Sequence, residues 1–255
     1  MDDPLLLRYS RHILLDELGP DAQTRFASAH ALIVGVGGLG APVAQFLAAA
    51  GVGTMTLCDA DSVDLTNLQR QILYATADVG QPKVAAAAAR LAAVNPHVSV
   101  AAIARRIGAD DLATLVAAAD VVIDCCDNFE TRHAVNRACV AARKPLVSGA
   151  AIRFDGQLAV FDTRDAASPC YHCLFGEGDA LEETRCATMG VFAPLVGIVG
   201  STQAAEALKL IAGVGESLAG RLLLLDALSM EWREVRVPRD PECPVCRDRP
   251  TTRFD

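Results

Sequence analysis

The chain has 255 residues, 52% hydrophobic but only 5% aromatic, so it can bury a full core built mainly from Ala, Val and Leu. Its formal charge of −8 argues against a general nucleic-acid binder, because phosphate contacts need a basic face; any bound triphosphate must rely on locally placed cations. No secretory signal opens it, and the continuous apolar stretch at residues 191–200 is about half of the roughly 20 residues a membrane helix needs, so a cytoplasmic protein with no membrane partner is expected.

Two short helices are expected first, at 4–18 and 21–28, broken by Gly19-Pro20 and forming an arm over residues 1–30. A strand at 31–34 runs into Gly35-Val36-Gly37-Gly38-Leu39-Gly40 and a helix at 41–50 that Gly51 and Gly53 stop. There follow a strand at 54–59, a long loop, a helix at 82–94 ended by Asn95-Pro96, a strand at 98–103, a helix at 110–118, a strand at 121–125 and a helix at 129–143. Repeated strand and helix units imply an α/β fold, a Rossmann-like parallel sheet with helices on both faces and a ligand crevice at the strands' carboxyl ends.

After Pro145 the pattern changes. Strands at 146–153 and 157–161 flank Asp155-Gly156, which favours a hairpin turn, so antiparallel strands extend the sheet. An irregular stretch at 163–189 leads to an apolar helix at 191–212 capped by Gly213, then strands at 221–226 and 231–237 and a polar tail at 238–255. Without a linker or internal repeat, residues 1–255 read as a single domain.

Nine cysteines, an odd count in a chain this long, suit metal or catalytic use better than disulfides. Cys170-x2-Cys173 and Cys243-x2-Cys246 are like-spaced pairs whose thiolates can take the corners of a tetrahedron, a structural zinc site stapling the tail to a distant loop. His172, inside the first pair, is read as incidental. Cys58, Cys125, Cys126 and Cys139 fall in apolar patterns and are expected in the core. Cys186 stands apart, beside Arg185 and just before a helix, where a lowered thiol pKa would make a nucleophile.

The glycine run lies between strand and helix, where backbone N–H groups close on phosphate; Asp59 at the next strand end is spaced to meet a ribose. Arg70 and Lys83 are cations a nicotinamide site does not need and a triphosphate does. Lys83 stands in a helix's first turn, where the dipole prefers anions, which suggests a shared anionic ligand. Asp127 and Asn128 follow a strand and precede a helix: capping explains Asn128, while Asp127 at the crevice could hold magnesium on phosphates. Asp124 receives no functional reading.

Taken together, Arg8-Tyr9-Ser10-Arg11, the glycine run, Thr66-Asn67-Leu68-Gln69-Arg70-Gln71, Gly80-Gln81-Pro82-Lys83, Asp124-Cys125-Cys126-Asp127-Asn128, Val147-Ser148-Gly149-Ala150-Ala151 and both cysteine pairs resemble the MoeB/ThiF/HesA adenylyltransferases, bacterial relatives of ubiquitin-activating enzymes. The resemblance spans about residues 8–246. It implies ATP-dependent adenylation of the C-terminal glycine of a small ubiquitin-like sulfur-carrier protein ending in Gly-Gly, of the MoaD or ThiS type, in molybdopterin or thiamine biosynthesis; the layout looks more like the molybdopterin members.

The same resemblance puts Gly35, Gly37, Gly38, Gly40, Thr66, Leu68, Gln69 and Asn128 in the ATP site, Asp59 on the ribose, Asn67, Arg70 and Lys83 around the phosphates, and Asp127 on magnesium. Arg11 matches an arginine that reaches the neighbouring subunit's site, implying a twofold homodimer. Cys186 matches a position where some relatives form a thioester or persulfide. The sulfurtransferase domain fused to longer relatives is not in this sequence, so a separate sulfur donor is expected. Competing readings are a NAD(P)-dependent oxidoreductase, on the glycine run and Asp59 alone, and a noncatalytic carrier-binding subunit.

Overall fold

A computed structural model describes residues 3–176 and 189–249. Eight strands form one sheet: β1 (His30–Val34), β2 (Thr54–Cys58), β3 (Ser99–Ile103), β4 (Val121–Asp124), β5 (Pro145–Ile152), β6 (Asp155–Asp162), β7 (Arg221–Asp226) and β8 (Glu231–Arg236), in the order β3-β2-β1-β4-β5-β6-β7-β8. The strands β1 to β5 pair in parallel, and β6, β7 and β8 add antiparallel pairings.

The apolar run of β1 reflects cover on both faces. Ala31 and Ile33 pack with α3 (Gly40–Ala50), α4 (Lys83–Val94) and α8 (Ala193–Ala212), whereas Leu32 and Val34 pack on the other side with α5 (Ala109–Ala118) and α6 (Phe129–Ala142). From β1 the chain steps outward through β2 to β3, then crosses back to β4. This reversal beside β1 opens a crevice at the carboxyl ends of β1 and β4. By length and composition α8 could cross a membrane, yet Leu195, Val199 and Ala207 pack against the sheet and α3 in the main core.

Two expectations change. The first helix, α1 (Asp3–Ile13), ends five residues before the expected stop, and α2 (Gly19–Ser28) begins on Gly19, because Pro20 fits a first turn whose N–H groups lack helical partners anyway. Within this N-terminal segment α2 buries Phe26 completely against Ala22 and Ala212, worth roughly 1.5–3 kcal/mol. Tyr9 of α1 is buried and its hydroxyl accepts from Asn95 Nδ2 at 2.8 Å.

The β5-β6 hairpin turns at Arg153-Phe154, since Ile152 pairs with Asp155 and Ala151 with Gly156. Arg153 itself takes the positive φ, 52°. Gly156 serves packing instead of turning: a Cβ there would stand 2.9 Å from Leu195 and Val199 of α8. Within the stretch expected to be irregular, Tyr171–Leu174 forms the short helix α7.

Candidate active site

Because β1, β2 and β4 run in parallel, their register sets Val34 beside both Cys58 and Asp124, and the residues that follow them share one edge. Gly35 N donates to Cys58 O, and Cys125 N to Val34 O, both at 2.8 Å. Gly35 has φ of 89° and lies so close to β4 that a Cβ would stand 2.8 Å from Cys125 O. A Cβ on Gly40 would overlap the Gly35 carbonyl oxygen, so the loop closes tightly onto the start of α3. Gly37 faces the Gln71 side chain and Gly38 faces Val196.

Asp59 grips this loop. Its Oδ2 accepts from Val36 N at 2.8 Å and its Oδ1 from Asp61 N at 2.9 Å, while the buried Tyr74 hydroxyl donates to Val36 O at 2.7 Å. Burial, with Asp59 adding to it, pushes the Tyr74 phenol up, so it remains a proton donor. Each Asp59 oxygen retains further acceptor capacity.

The polar loop after Asp59 is locally built. Asp64 accepts from Thr66 N at 2.8 Å and Thr66 Oγ1 at 2.6 Å, which starts the turn Leu65–Asn67 and holds the Asp64 carboxyl below its usual range. Asn67 O accepts from Arg70 N and Gln71 N, Asn67 Nδ2 donates weakly to Thr66 Oγ1, and Arg70 Nη1 donates to Thr66 O at 3.1 Å. Asn67, Leu68 and Arg70 are half-buried, and Thr66 and Gln69 are exposed.

Lys83 is only 5% exposed, and its Nζ donates to Asp61 Oδ2 at 2.8 Å. The sequence suggested a lysine held for an anionic ligand; the structure supplies a protein anion, Asp61, that the sequence reading missed. Since the Asp61 side chain is largely exposed, it can swing away or share the ammonium when phosphate arrives. An exposed carboxylate three residues beyond a strand end carries no distinctive pattern, which is why it escaped notice.

Asp124, without a role in the sequence reading, is the hub of a buried network. Its carboxylate accepts from Ser148 Oγ at 2.7 Å, from Cys126 N at 3.1 Å and from the Cys126 thiol at 2.6 Å. Arg132 Nη1 lies 3.4 Å from it. Arg132 Nη2 also donates to Cys126 O at 2.6 Å and Gly149 O at 2.9 Å, tying α6, the β4 end and β5 together. Burial alone would lower the guanidinium's proton affinity, and Asp124 reverses that and raises it. A carboxylate in a strand covered on both faces demands such a counter-ion, which is the signal that could have led to Arg132.

The exposed Asp127 follows directly, and Asn128 caps α6 by accepting from Thr131 N at 2.9 Å. Cys58, Cys125 and Cys139 are core residues, whereas Cys126, expected there, is half-buried and bonded to Asp124. Burial raises both Cys125 and Cys126 well above the ordinary thiol range. Arg11 is exposed near the end of α1. Cys186 lies outside the described residues.

Away from the crevice, Cys170, Cys173, Cys243 and Cys246 bring their sulfurs within 4.8 Å of one another. Individual separations are 3.7 Å for Cys170 to Cys243, 3.9 Å for Cys173 to Cys170 and 3.5 Å for Cys173 to Cys246. These are far too long for disulfides. They match a tetrahedron with metal–sulfur bonds of about 2.3 Å, whose edges are about 3.8 Å, so the four sulfurs can hold a metal ion. Asn136 Nδ2 donates to Cys170 Sγ at 3.6 Å, and His172 Nδ1, read as incidental, lies 3.7 Å from Cys243 Sγ.

An open parallel sheet with a glycine loop at its reversal, a carboxylate ending β2 and a buried lysine behind it defines a nucleotide-binding α/β protein. The ThiF family model matches residues 9–245, and the chain belongs to that family. It is 46% identical over 249 residues to the molybdopterin-synthase adenylyltransferase of Escherichia coli (strain K12), covering 96% of this chain and 98% of that protein. It is 45% identical over 246 residues to the sulfur carrier protein ThiS adenylyltransferase of the same organism, covering 96% and 97%. The crystal structure of E. coli MccB with ATP superposes with a TM-score of 0.83 at 27% identity, covering 94% of this chain and 73% of that one.

Proposed function

We propose that the protein uses ATP to adenylate the C-terminal glycine carboxylate of a small ubiquitin-like sulfur-carrier protein, releasing pyrophosphate. The observation that carries this reading is the shared edge: the glycine loop, Asp59, Lys83 and the Asp127 loop all follow the ends of parallel strands or abut them. The adenylyltransferase names of the relatives support it.

The chemical difficulty is bringing a carboxylate to an already anionic α-phosphate. Positioning and charge neutralisation supply most of the catalysis, and no protein base is needed because the attacking carboxylate is ionised. Amide N–H groups of Gly37, Gly38 and Gly40 surround phosphate, Gly35, whose own N–H is taken by Cys58 O, sets the turn of that loop, Asp59 accepts from the ribose hydroxyls, and Asn67, Arg70 and Lys83 neutralise the polyphosphate, with Thr66, Leu68, Gln69 and Asn128 lining the site. Asp127 would hold a magnesium ion, which when bound neutralises phosphate charge and orients the leaving pyrophosphate. A nicotinamide enzyme would give Arg70 no role and Lys83 none beyond its pair with Asp61.

Arg11 completes the site of a second copy in a twofold homodimer. The tetrathiolate cluster takes a structural zinc ion, favoured over other metals by its closed all-sulfur tetrahedron. The carrier is of the MoaD or ThiS type, with molybdopterin biosynthesis preferred on overall layout, although the near-equal identity to both relatives separates the two only weakly. Cys186 is the candidate for a covalent link to the carrier, and sulfur comes from a separate protein.

The test is carrier-dependent exchange of labelled pyrophosphate into ATP with a carrier ending in Gly-Gly. Exchange that is lost in Arg70→Ala and Lys83→Ala while folding persists is expected. Tight NADH binding without exchange would support an oxidoreductase, and carrier binding with neither activity a noncatalytic subunit.

A further inference from the structure

Two arginines, Arg249 buried and Arg239 half-buried, flank the cysteine cluster without an acidic partner among the described residues. Arg249 is 6% exposed; its Nη2 donates to the carbonyls of Ser168 and Ala166, while its Nε and Nη1 are buried with no hydrogen-bond partner among the described residues. Arg239 Nη1 donates to Ala166 O at 2.9 Å and Nη2 to Cys246 O at 2.6 Å, and its Nε is likewise buried and unpartnered among the described residues. Neither forms an ion pair with a described carboxylate. Arg239 bridges residues 166 and 246–247, and Arg249 ties its own segment to residues 166–168, beside the two cysteine pairs; the cysteines that bear on Arg249 electrostatically are Cys246, Cys170 and Cys173.

A buried guanidinium without a counter-ion costs several kcal/mol, so Arg249, with the half-buried Arg239 placing a second positive charge beside it, needs an anion. Carbonyl acceptors satisfy hydrogen bonds but not charge. Four thiolates around a divalent cation make a dianion, which two guanidiniums cancel. The donors already on the sulfurs, Asn136 on Cys170 and His172 near Cys243, solvate them individually without removing the net charge. We infer that Arg239 and Arg249 are the charge-compensating residues of the tetrathiolate metal site, stabilising its metal-bound form as a neutral buried unit. The inference rests on the zinc reading above and extends it to residues that touch no metal.

The experiment measures zinc release from the purified full-length protein into excess chelator, read with a chromophoric zinc indicator, for wild type, Arg249→Met, Arg249→Lys, Arg239→Met and Arg239→Lys. Methionine keeps an unbranched apolar stem and removes the charge; lysine keeps the charge and loses the forked bonds to the carbonyls. Release should be about 10–100-fold faster in the methionine variants and close to wild type in the lysine variants, the scale usual for outer partners of metal ligands. Equal release from Arg249→Met and wild type, or equally fast release from the methionine and lysine variants, would overturn the inference and leave the arginines as carbonyl staples. If Arg249→Met fails to fold, the Arg239 pair carries the same comparison. Wild-type protein that holds far less than one zinc per chain would instead overturn the zinc reading itself.

Discussion

The guanidinium of Arg132 donates to the carbonyl of Cys126 at 2.6 Å, so a residue one turn into α6 holds the loop that carries Asp127. Asp124 makes this possible by neutralising the arginine inside the core. Replacing Arg132 with Met leaves a buried carboxylate uncompensated, at a cost of about 3–5 kcal/mol, which lowers the thermal midpoint by on the order of 10 °C. Adding Asp124→Asn to that variant should restore part of the loss. Scanning calorimetry of the single and double variants checks both; no recovery in the double variant would mean that the arginine stabilises through packing alone.

Glycines divide into those that close a loop and those that merely sit in a helix. Gly40→Ala drives a Cβ into the Gly35 carbonyl and should open the phosphate loop, weakening ATP binding at least about tenfold while the sheet stays folded. Gly197 in α8 has free space around its missing Cβ, so Gly197→Ala should stabilise by about 0.5–1 kcal/mol. Isothermal titration with ATP and denaturant melts distinguish the two, and comparable ATP affinity in Gly40→Ala and wild type would argue against the loop's role.

Cys126 sits beside Asp127 and is partly accessible, which invites a nucleophilic role. Its thiol is raised by burial first and then by the Asp124 charge, so at pH 8 it carries less thiolate than an ordinary cysteine. Iodoacetamide at that pH should label Cys126 at least about tenfold more slowly than a free cysteine, and Cys126→Ala should retain pyrophosphate exchange. Rapid labelling at Cys126 by mass spectrometry would reverse this assignment.

Much of the fold was legible because its signals are local. Alternating apolar strands and alanine-rich helices with proline starts and glycine stops gave the parallel sheet and the antiparallel extension. The hairpin turn was misplaced because Asp155-Gly156 has turn chemistry, while the glycine is in fact required by Leu195 and Val199, residues of a helix some forty positions away. The crevice residues Asp59 and Asn128 were readable from their places at strand and helix ends. Arg132 and Gln203 were not, and Ser148 stood in a motif without a role: Gln203 lies in an apolar helix and donates to Asp124 O at 2.8 Å, a contact that only the folded sheet creates. Asp61 likewise acquires meaning only through Lys83.

Structural zinc contributes on the order of 10 kcal/mol or more in apparent binding free energy, comparable with the stability of a domain. On the zinc reading the metal would join Cys170 and Cys173 to residues 238–249, which form turns and no helix or strand. Chelation should therefore loosen residues 238–249 before the sheet opens. Hydrogen exchange followed by mass spectrometry, with and without chelator, should show faster exchange confined first to the tail and the Cys170 loop; uniform acceleration would mean that the metal site supports the whole core.

The central claim is that main-chain amides and two cations at one sheet edge hold a nucleoside triphosphate for attack by a carboxylate. A crystal structure with a nonhydrolysable ATP analogue tests it most directly. Lys83 Nζ and the Arg70 guanidinium should lie within hydrogen-bonding distance of phosphate oxygens, with Asp59 on the ribose hydroxyls and the Lys83–Asp61 contact shared or broken. An analogue bound elsewhere, or bound there with Arg70 and Lys83 turned away from its phosphates, would contradict the account.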